Sequence, residues 1–242
     1  MDAPTYSIVL PAYNERERIA ATLDKILAYA QRRGWNAEVI VVNDGSTDDT
    51  TKIVAEYARR NDGLRLLENP GNRGKGYAVK QGMLEAQGEW ILFTDADLST
   101  PIEEVKTLYG HLRKDKAVIA IGSRAIEPSL VQIHQAVLRE WSGKFFNFVM
   151  RRLTGLEFQD TQCGFKLYQF QAAQKVFTRQ QLDGFCFDVE DLFIARCVAL
   201  KTIEVPVRWS NVPGTKVGML GGLKSFADLF RIRWNVAKGR YK

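Results

Sequence analysis

Two carboxylates, Asp95 and Asp97, stand one residue apart at the end of the apolar run Trp90–Thr94. A buried strand that ends in Asp-x-Asp presents carboxylate oxygens, which are the ligands that hard divalent cations prefer. Such a cation can bridge the oxygens of a diphosphate and neutralise the charge that develops as this group departs. The pattern therefore predicts metal-assisted chemistry on a diphosphate, although an acidic turn that caps the next helix would have the same sequence.

Two further loops carry residues suited to a phosphorylated ligand. The loop Asn43–Thr50 needs one side chain to cap the next helix, which leaves Asp44 to accept hydrogen bonds from a base or a ribose. The loop Asn72–Gly76 opens a helix with glycines and two cations, and its main-chain amides, reinforced by Lys75, suit a phosphate. A capped turn and a solvated loop explain the same residues, so neither motif is specific alone.

Short apolar runs alternate with helix-period segments through the first half of the chain, which predicts a mostly parallel sheet with helices on both faces. Ligands of such sheets bind beyond the carboxyl ends of the strands. The loops that begin at Pro11, Asn43, Asp95 and Ser123 should therefore gather at one edge. The predicted strands are 7–10, 38–42, 64–67, 90–94 and 117–122, and the predicted helices are 15–32, 49–60, 76–86 and 102–113.

The second half begins with a long aromatic helix over 130–153, which is more typical of packing against a neighbour than of membrane contact. The patterns then predict a strand over 165–168, a helix over 189–200 and an edge strand over 202–208 that contains a proline. A Gly-rich loop over 213–222 precedes a basic amphipathic helix over 223–237. That helix suits an anionic membrane surface, but a helix docked on the core with a solvated basic face explains it equally well.

The amino-acid composition limits the classes of function that the chain can have. Of the 242 residues, 45% are apolar and 26% are charged, as in an ordinary globular protein. The net charge of +6 attracts anions, but no run of five or six like charges indicates a nucleic-acid tail. Three cysteines without a metal-type pair predict buried thiols in a reducing compartment. Neither a secretory signal nor a stretch of ~20 apolar residues is visible, so we expect a soluble or membrane-associated protein.

Taken together, the motifs resemble the family 2 glycosyltransferases, inverting enzymes with the GT-A nucleotide-diphospho-sugar transferase fold. The segments Ile8–Glu15 and Val41–Asp48 are similar to the first two strands and turns of that family. Further segments resemble its branch of dolichyl-phosphate β-glucosyltransferases and other polyprenyl-phosphate glycosyltransferases. These segments are Asp95–Pro101, Gly122–Arg124, Asp160–Lys166 and Phe187–Glu190, and the likeness spans about residues 6 to 220.

The resemblance implies a role for each matching residue. Asp95 and Asp97 would bind the diphosphate through Mg²⁺ or Mn²⁺, and Arg124 would lie near the acceptor phosphate or the leaving diphosphate. A segment similar to a loop that closes over the site would turn Arg208 and Lys216 toward phosphate. The residues implied to hold the uridine are Pro11, Tyr13, Glu15 and Asp44, with Lys75 and Gln162 as further substrate-binding candidates.

Transfer with inversion is a single displacement, and the acceptor decides which residues it needs. A hydroxyl acceptor requires a carboxylate base, for which Asp188, Glu190 and Asp191 at a predicted helix start are candidates. A phosphate monoester, with a second pKa of about 6, is largely a dianion at neutral pH and needs cations instead. The cationic set favours a phosphate acceptor. The catalytic candidates are Asp97, Arg124, Asp188 and Glu190.

We therefore expect transfer of glucose from UDP-glucose to a polyprenyl (dolichyl-type) phosphate, with a β-linked product and UDP. GDP-mannose as donor, a sugar hydroxyl as acceptor, or a non-catalytic nucleotide-sugar-binding or membrane-scaffold protein are the alternatives. The chain is expected to be one domain, with a donor half over 1–124, an acceptor half over 125–222 and the basic helix over 223–242. We expect it at the cytoplasmic face of a membrane, with no nucleic-acid partner and with an oligomer possible.

Overall fold

The computed structural model of the chain describes residues 4–133, 137–212 and 219–241. The strands are β1 Tyr6–Ala12, β2 Ala37–Asn43, β3 Leu64–Glu68, β4 Trp90–Thr94, β5 Ile119–Ser123, β6 Val131–Ile133, β7 Phe165–Gln169, β8 Thr202–Pro206 and β9 Trp209–Ser210. The α-helices are α1 Ile19–Arg33, α2 Thr50–Ala58, α3 Lys75–Glu85, α4 Val105–Asp115, α5 Val137–Thr154, α6 Phe170–Phe177, α7 Phe187–Cys197 and α8 Met219–Ala237.

Seven of these strands form one sheet in the order β3-β2-β1-β4-β7-β5-β8. Neighbouring strands are parallel except at β7, which runs antiparallel between β4 and β5. The predicted mostly parallel sheet is confirmed, and β8 is the edge strand that its proline indicated. The sequence patterns did not predict that β7 enters the middle of the sheet in the opposite direction.

Both faces of the sheet are buried, because its inner strands are apolar at successive positions. Along β1, Val9 belongs to the apolar cluster on one face, and Ile8 and Leu10 belong to the cluster on the other. The α1, α2 and α4 helices cover the second face, and α3, α5, α6, α7 and α8 contribute to the cluster on the first. This double cover is the arrangement that near-continuous apolar strands require.

Three helices begin four or more residues away from their predicted starts. The first helix begins at Ile19 rather than at position 15, because Asn14 has a φ of 54° and the Glu15 amide donates to Thr50 Oγ1 (2.7 Å). Residues 131–133 form a strand against β9, so the long helix begins at Val137 and not at 130. The last helix begins at Met219, inside the predicted Gly-rich loop, of which 213–218 lie outside the described residues.

Two smaller corrections concern α6 and the thiols. The α6 helix was missed, although Phe170, Ala173 and Phe177 have helical spacing. Cys163 and Cys186 are buried as expected, but Cys197 is exposed because it ends α7. In the part of the chain that the structure describes, no helix combines the length and apolar character needed to cross a bilayer.

Candidate active site

The carboxyl ends of β1, β2, β4 and β5 lie along one edge of the sheet, as predicted from the strand-end rule. The loops after β1 and β2 are joined there, since the Asp44 amide donates to Ala12 O (2.8 Å) and the Asn14 amide donates to Ser46 Oγ (2.9 Å). Three residues implied to hold uridine lie half-buried on the first of these loops and the strand before it. They are Pro11, Tyr13 and Glu15.

Asp44 is buried, and its carboxylate binds the Gly-rich loop. The carboxylate accepts hydrogen bonds from Asn69 Nδ2 (2.8 Å), the Arg73 amide (3.0 Å) and the Gly74 amide (2.8 Å). Gly45, with a φ of 72°, lies so close to the main chain of the same loop that a side chain would not fit. Asp44 therefore shapes the loop before α3, and its contact with a uridine stays a prediction.

Lys75 is the first residue of α3, and its ammonium lies 2.7 Å from Asp95 Oδ1. Burial works to lower the pKa of Lys75, but the carboxylates of Asp95 and Asp188 outweigh it and raise that pKa. On the other side of Asp95, Gly164 O accepts a hydrogen bond from the Asp95 amide (3.0 Å), and a Cβ at Gly164 would overlap the Asp95 carboxylate. Asp95 is thus held between the Gly-rich loop and the start of β7.

Asp97 lies in the turn after β4, where Leu98 has a φ of 46° and the Ser99 amide donates to Asp97 Oδ1 (2.9 Å). In the described residues no three His, Cys, Asp or Glu side chains cluster to enclose a metal ion. Two carboxylates alone fit Mg²⁺ or Mn²⁺ that keeps its remaining positions for phosphate oxygens and water. The donor set of Asp95 and Asp97 therefore suits a hard cation that binds together with a diphosphate.

Arg124 follows β5 and forms a two-pronged ion pair with Asp160. Its Nε and Nη2 donate to the two carboxylate oxygens at 2.6 and 2.8 Å, and its amide donates to Asp160 Oδ2 (3.0 Å). Burial opposes this charge pair, but each partner stabilises the other, so the pKa of Arg124 is raised and that of Asp160 is lowered. Gln162 lies in the same turn, where its amide donates to Asp160 Oδ1 (3.3 Å).

Asp188 lies in the first turn of α7, as predicted, and forms an ion pair with Lys166 of β7. The Lys166 side chain is wholly buried. Burial raises the pKa of Asp188, and the ammonium groups of Lys166 and Lys75 oppose that rise. Sequence reasoning did not select Lys166 or Asp160, although both lie in the Asp160–Lys166 motif, and a lysine inside an apolar strand is itself a signal.

The other two carboxylates of α7 are buried in the protein interior. Glu190 accepts hydrogen bonds from the Tyr241 hydroxyl and from the amides of Gln181 (3.0 Å) and Leu182 (2.8 Å). Asp191 is buried, and neither of its oxygens has a hydrogen-bond partner among the described residues. Burial raises its pKa well above the ordinary value. These surroundings do not bring Glu190 or Asp191 to the strand ends.

Of the two cations of the predicted closing segment, Arg208 lies among the described residues and is not near Asp95 or Asp97 in its contacts. Arg208 is exposed and pairs through Nε with Glu104, a buried carboxylate before α4. Lys216 lies outside the described residues, so its place at a phosphate stays a prediction. Among the expected cations in the described part of the chain, Lys75 at the start of α3 and Arg124 after β5 are each paired with a carboxylate of the site.

Comparison with known proteins identifies the family of the chain. Residues 7–177 match the family model described as glycosyl transferase family 2. A dolichyl-phosphate beta-glucosyltransferase from Trichomonas vaginalis is 39% identical over 93% of this chain and 70% of its own length. Proteins of the same name from Mus musculus and Saccharomyces cerevisiae are 35% and 34% identical, over 100% and 98% of this chain and 79% and 76% of theirs.

Solved structures share the fold at lower identity. A glucosyl-3-phosphoglycerate synthase from Mycobacterium tuberculosis, in complex with Mn²⁺, UDP-glucose and phosphoglyceric acid, aligns with a TM-score of 0.66 at 21% identity. The alignment covers 95% of this chain and 79% of that chain. A mannosyl-3-phosphoglycerate synthase from Rubrobacter xylanophilus aligns with a TM-score of 0.68 at 17% identity, over 98% and 75%. At these identities the alignments show a shared fold and do not identify the substrates of this chain.

Proposed function

The chain belongs to glycosyl transferase family 2 and has the GT-A fold, and we propose that it transfers glucose from UDP-glucose to a polyprenyl phosphate of the dolichyl type. The products are UDP and a β-linked lipid-phosphate sugar. The observation that carries the proposal is the likeness to dolichyl-phosphate beta-glucosyltransferases over 93–100% of the chain at 34–39% identity. The geometry at the strand ends supports the same chemistry from the residues upward.

The donor side of the proposed site is the edge between β1, β2 and β4. Asp95 and Asp97 would hold Mg²⁺ or Mn²⁺, which neutralises charge on the departing diphosphate when bound. Lys75 supplies positive charge beside these carboxylates, whereas the Arg73 and Gly74 amides of the loop before it are bound by Asp44. A nucleoside attached to that diphosphate would extend toward Pro11 of β1 and toward Tyr13 and Glu15 in the loop that follows.

The acceptor side favours a phosphate over a hydroxyl. A hydroxyl needs a base, but Asp188 is engaged by Lys166 and Glu190 is engaged by Tyr241 and two amides. A phosphate dianion needs no base and instead requires a cation that holds it near the diphosphate. Arg124 meets that need, because Asp160 fixes the guanidinium through two of its N–H groups and leaves the others for a phosphate.

The step is one displacement with inversion. A phosphate oxygen of the acceptor attacks the anomeric carbon of glucose, and the bond from that carbon to the β-phosphate oxygen of UDP breaks. The electron pair of that bond leaves with UDP, so no proton transfer is required. Arg124 orients the acceptor phosphate, and Lys75 stabilises the growing charge on the leaving group. Asp188, whose carboxylate also contributes to raising the pKa of Lys75, would orient sugar hydroxyls.

The proposal is tested by incubating the protein with Mn²⁺, a short-chain polyprenyl phosphate and a panel of UDP-glucose, other UDP-sugars and GDP-mannose. We expect UDP release only when UDP-glucose and the lipid phosphate are both present, and a β-anomeric product by NMR. The matched polyprenyl alcohol, which lacks the phosphate, should be inert. Transfer from GDP-mannose instead, or transfer to a sugar hydroxyl with loss on Asp188→Asn, would overturn the donor or the acceptor assignment respectively.

A polyprenyl phosphate resides in a bilayer, so the proposed enzyme works at a membrane surface. We place it at the cytoplasmic face, where nucleotide sugars are available and where thiols such as the exposed Cys197 stay reduced. Subcellular fractionation before and after a high-salt wash measures this directly. Recovery in the membrane fraction that salt releases is expected, and recovery in the lumen would contradict it.

A further inference from the structure

The outer face of α8 carries two large aromatic side chains that contact no core. Phe230 is 63% exposed and Trp234 is 61% exposed, whereas Leu229 and Ile232 of the same helix are fully buried. Because Phe230 and Trp234 are four residues apart, they lie one above the other on a single stripe. Exposed aromatics in such a contiguous stripe indicate an interaction surface rather than isolated surface residues.

Cations border this stripe on both sides. On a helical projection, Arg233 lies on one side of Phe230 and Trp234, and Lys224, Arg231 and Lys238 lie on the other. All four are exposed, and the Lys238 ammonium lies over the Trp234 ring at 4.9 Å. Asp228 is the one acidic residue in the sequence 224–241, and it is buried. The face therefore presents an apolar centre with a positive rim and no exposed carboxylate.

We propose that the Phe230–Trp234 stripe is the surface by which the protein binds a bilayer that contains anionic lipids. The aromatic rings would enter the boundary between headgroups and acyl chains, and the flanking cations would contact lipid phosphates. A second copy of this chain is a poorer occupant, since pairing this face with itself opposes like charges. The proposal rests on the proposed function, because a lipid-borne acceptor is what requires the enzyme to meet a membrane.

The position of α8 connects this surface to the proposed site. The α8 helix lies beside the segment that leads into α7, where a Cβ on Gly184 would lie 3.7 Å from Asp228 Oδ2. The segment after α8 returns to the same helix, since the Tyr241 hydroxyl donates to Glu190. Asp188 is the second residue of α7. A bilayer bound at the outer face of α8 is thus one helix away from the residues that are proposed to hold the sugar.

The test is co-sedimentation with vesicles of phosphatidylcholine alone and of equal parts phosphatidylcholine and phosphatidylglycerol. Wild-type protein should bind the anionic vesicles, and raised salt should weaken that binding. The variant Phe230→Ser/Trp234→Ser should bind at least about tenfold more weakly. The matched control is Phe170→Ser, an aromatic residue 38% exposed at the start of α6, which should bind as the wild type does.

The contribution of the flanking cations and the insertion of the Trp234 ring into lipid are measured in separate experiments. Arg233→Gln/Lys238→Gln should weaken anionic binding by about fivefold for each cation removed, and Lys175→Gln, exposed on α6, serves as its control. The chain has five tryptophans, and vesicle binding should shift their fluorescence to the blue. Trp234→Phe should keep the binding but lose that shift, because the reporting ring is the one that enters the lipid.

Several results would contradict the proposal that the Phe230–Trp234 stripe binds a bilayer. Equal binding by wild type and by the double aromatic variant would do so, as would a lack of wild-type binding to anionic vesicles. A wild-type dimer that becomes monomeric in the aromatic variant, without vesicle binding, would assign the stripe to a second copy. Activity on a water-soluble short-chain polyprenyl phosphate is read in parallel. If this activity is absent while vesicle binding still depends on Phe230 and Trp234, the proposed reaction is contradicted and the proposed membrane-binding surface is supported.

Discussion

Lys75 and Asp95 are in contact across the proposed donor site, with 2.7 Å between the ammonium nitrogen and Oδ1. Lys75 starts α3 and Asp95 follows β4, so the pair joins the Gly-rich loop to the Asp-x-Asp turn. An ammonium here occupies one of the two carboxylates that are proposed to bind a divalent ion. A cation must therefore share Asp95 with Lys75 or displace it toward a phosphate.

Replacing Lys75 by Met should tighten the binding of Mn²⁺ and weaken the binding of UDP-glucose. Without the ammonium, Asp95 is a stronger ligand, so Mn²⁺ should bind about tenfold more tightly in the absence of nucleotide. UDP-glucose should bind about tenfold more weakly, because a phosphate contact is lost. Electron paramagnetic resonance of free Mn²⁺ and calorimetry with UDP-glucose measure the two constants. Lys52→Gln, exposed on α2, is the control, and equal changes of both constants in one direction would contradict the prediction.

Amidation of the Asp-x-Asp pair should remove metal-dependent turnover. Asp95→Asn and Asp97→Asn keep the side-chain volume but remove the charges that a hard cation requires. We expect each variant to lose at least about a hundredfold in kcat/KM and to bind Mn²⁺–UDP more weakly in calorimetry. Asp62→Asn, at an exposed position outside the site, should be unchanged. Full turnover by Asp95→Asn/Asp97→Asn would end the metal assignment.

The buried pair of Lys166 and Asp188 should be coupled in stability. Removing one partner leaves an uncompensated buried charge, so Lys166→Met should lower the free energy of unfolding by about 3–5 kcal/mol. The double variant Lys166→Met/Asp188→Asn should recover part of that loss, because neither charge then remains. Urea denaturation of the four proteins gives the coupling energy, and strictly additive losses would mean that the two side chains do not interact.

Asp160 should act through Arg124 rather than on the substrates. Asp160→Asn cannot form the charged two-pronged contact, so the guanidinium loses its fixed orientation. We expect the KM for the lipid phosphate to rise by about tenfold while the KM for UDP-glucose changes less. Arg124→Lys should show the same pattern, because an ammonium cannot bind both carboxylate oxygens in parallel. A larger rise in the KM for UDP-glucose would move Arg124 to the leaving diphosphate.

The buried carboxyl group of Asp191 should make the free energy of unfolding fall as pH rises. Burial raises its folded-state pKa above the unfolded value, so the folded protein holds a proton that the unfolded chain releases. Its stabilising contribution is complete below the ordinary carboxyl pKa of about 4 and is lost as pH rises through the folded pKa. Asp191→Asn cannot titrate, so its urea midpoint should decline less than that of the wild type over that interval. Parallel midpoints in the two proteins would refute this.

Local patterns predicted much of this architecture. The bounds of β4 were predicted to the residue, and those of β1, β2 and β3 to within two residues, because buried parallel strands read as short apolar runs. The gathering of the loops after β1, β2, β4 and β5 also followed, since parallel strands place their carboxyl ends at one edge. The failures lie where a contact distant in sequence overrides the pattern, as where Thr50 holds the Glu15 amide and delays α1.

The sequence by itself determined that Asp95 and Asp97 follow a buried strand, and that Asp44, Lys75 and Arg124 stand at neighbouring strand or helix ends. The tertiary structure alone decided which partner each one has. The β7 strand enters antiparallel between β4 and β5, which brings Gly164 onto Asp95 and Lys166 to Asp188, and Asp160 reaches Arg124 from a separate loop. These partners are 22 to 69 positions apart in the chain. Periodicity reports burial and direction within one element, whereas pairing between elements depends on how the whole sheet is ordered.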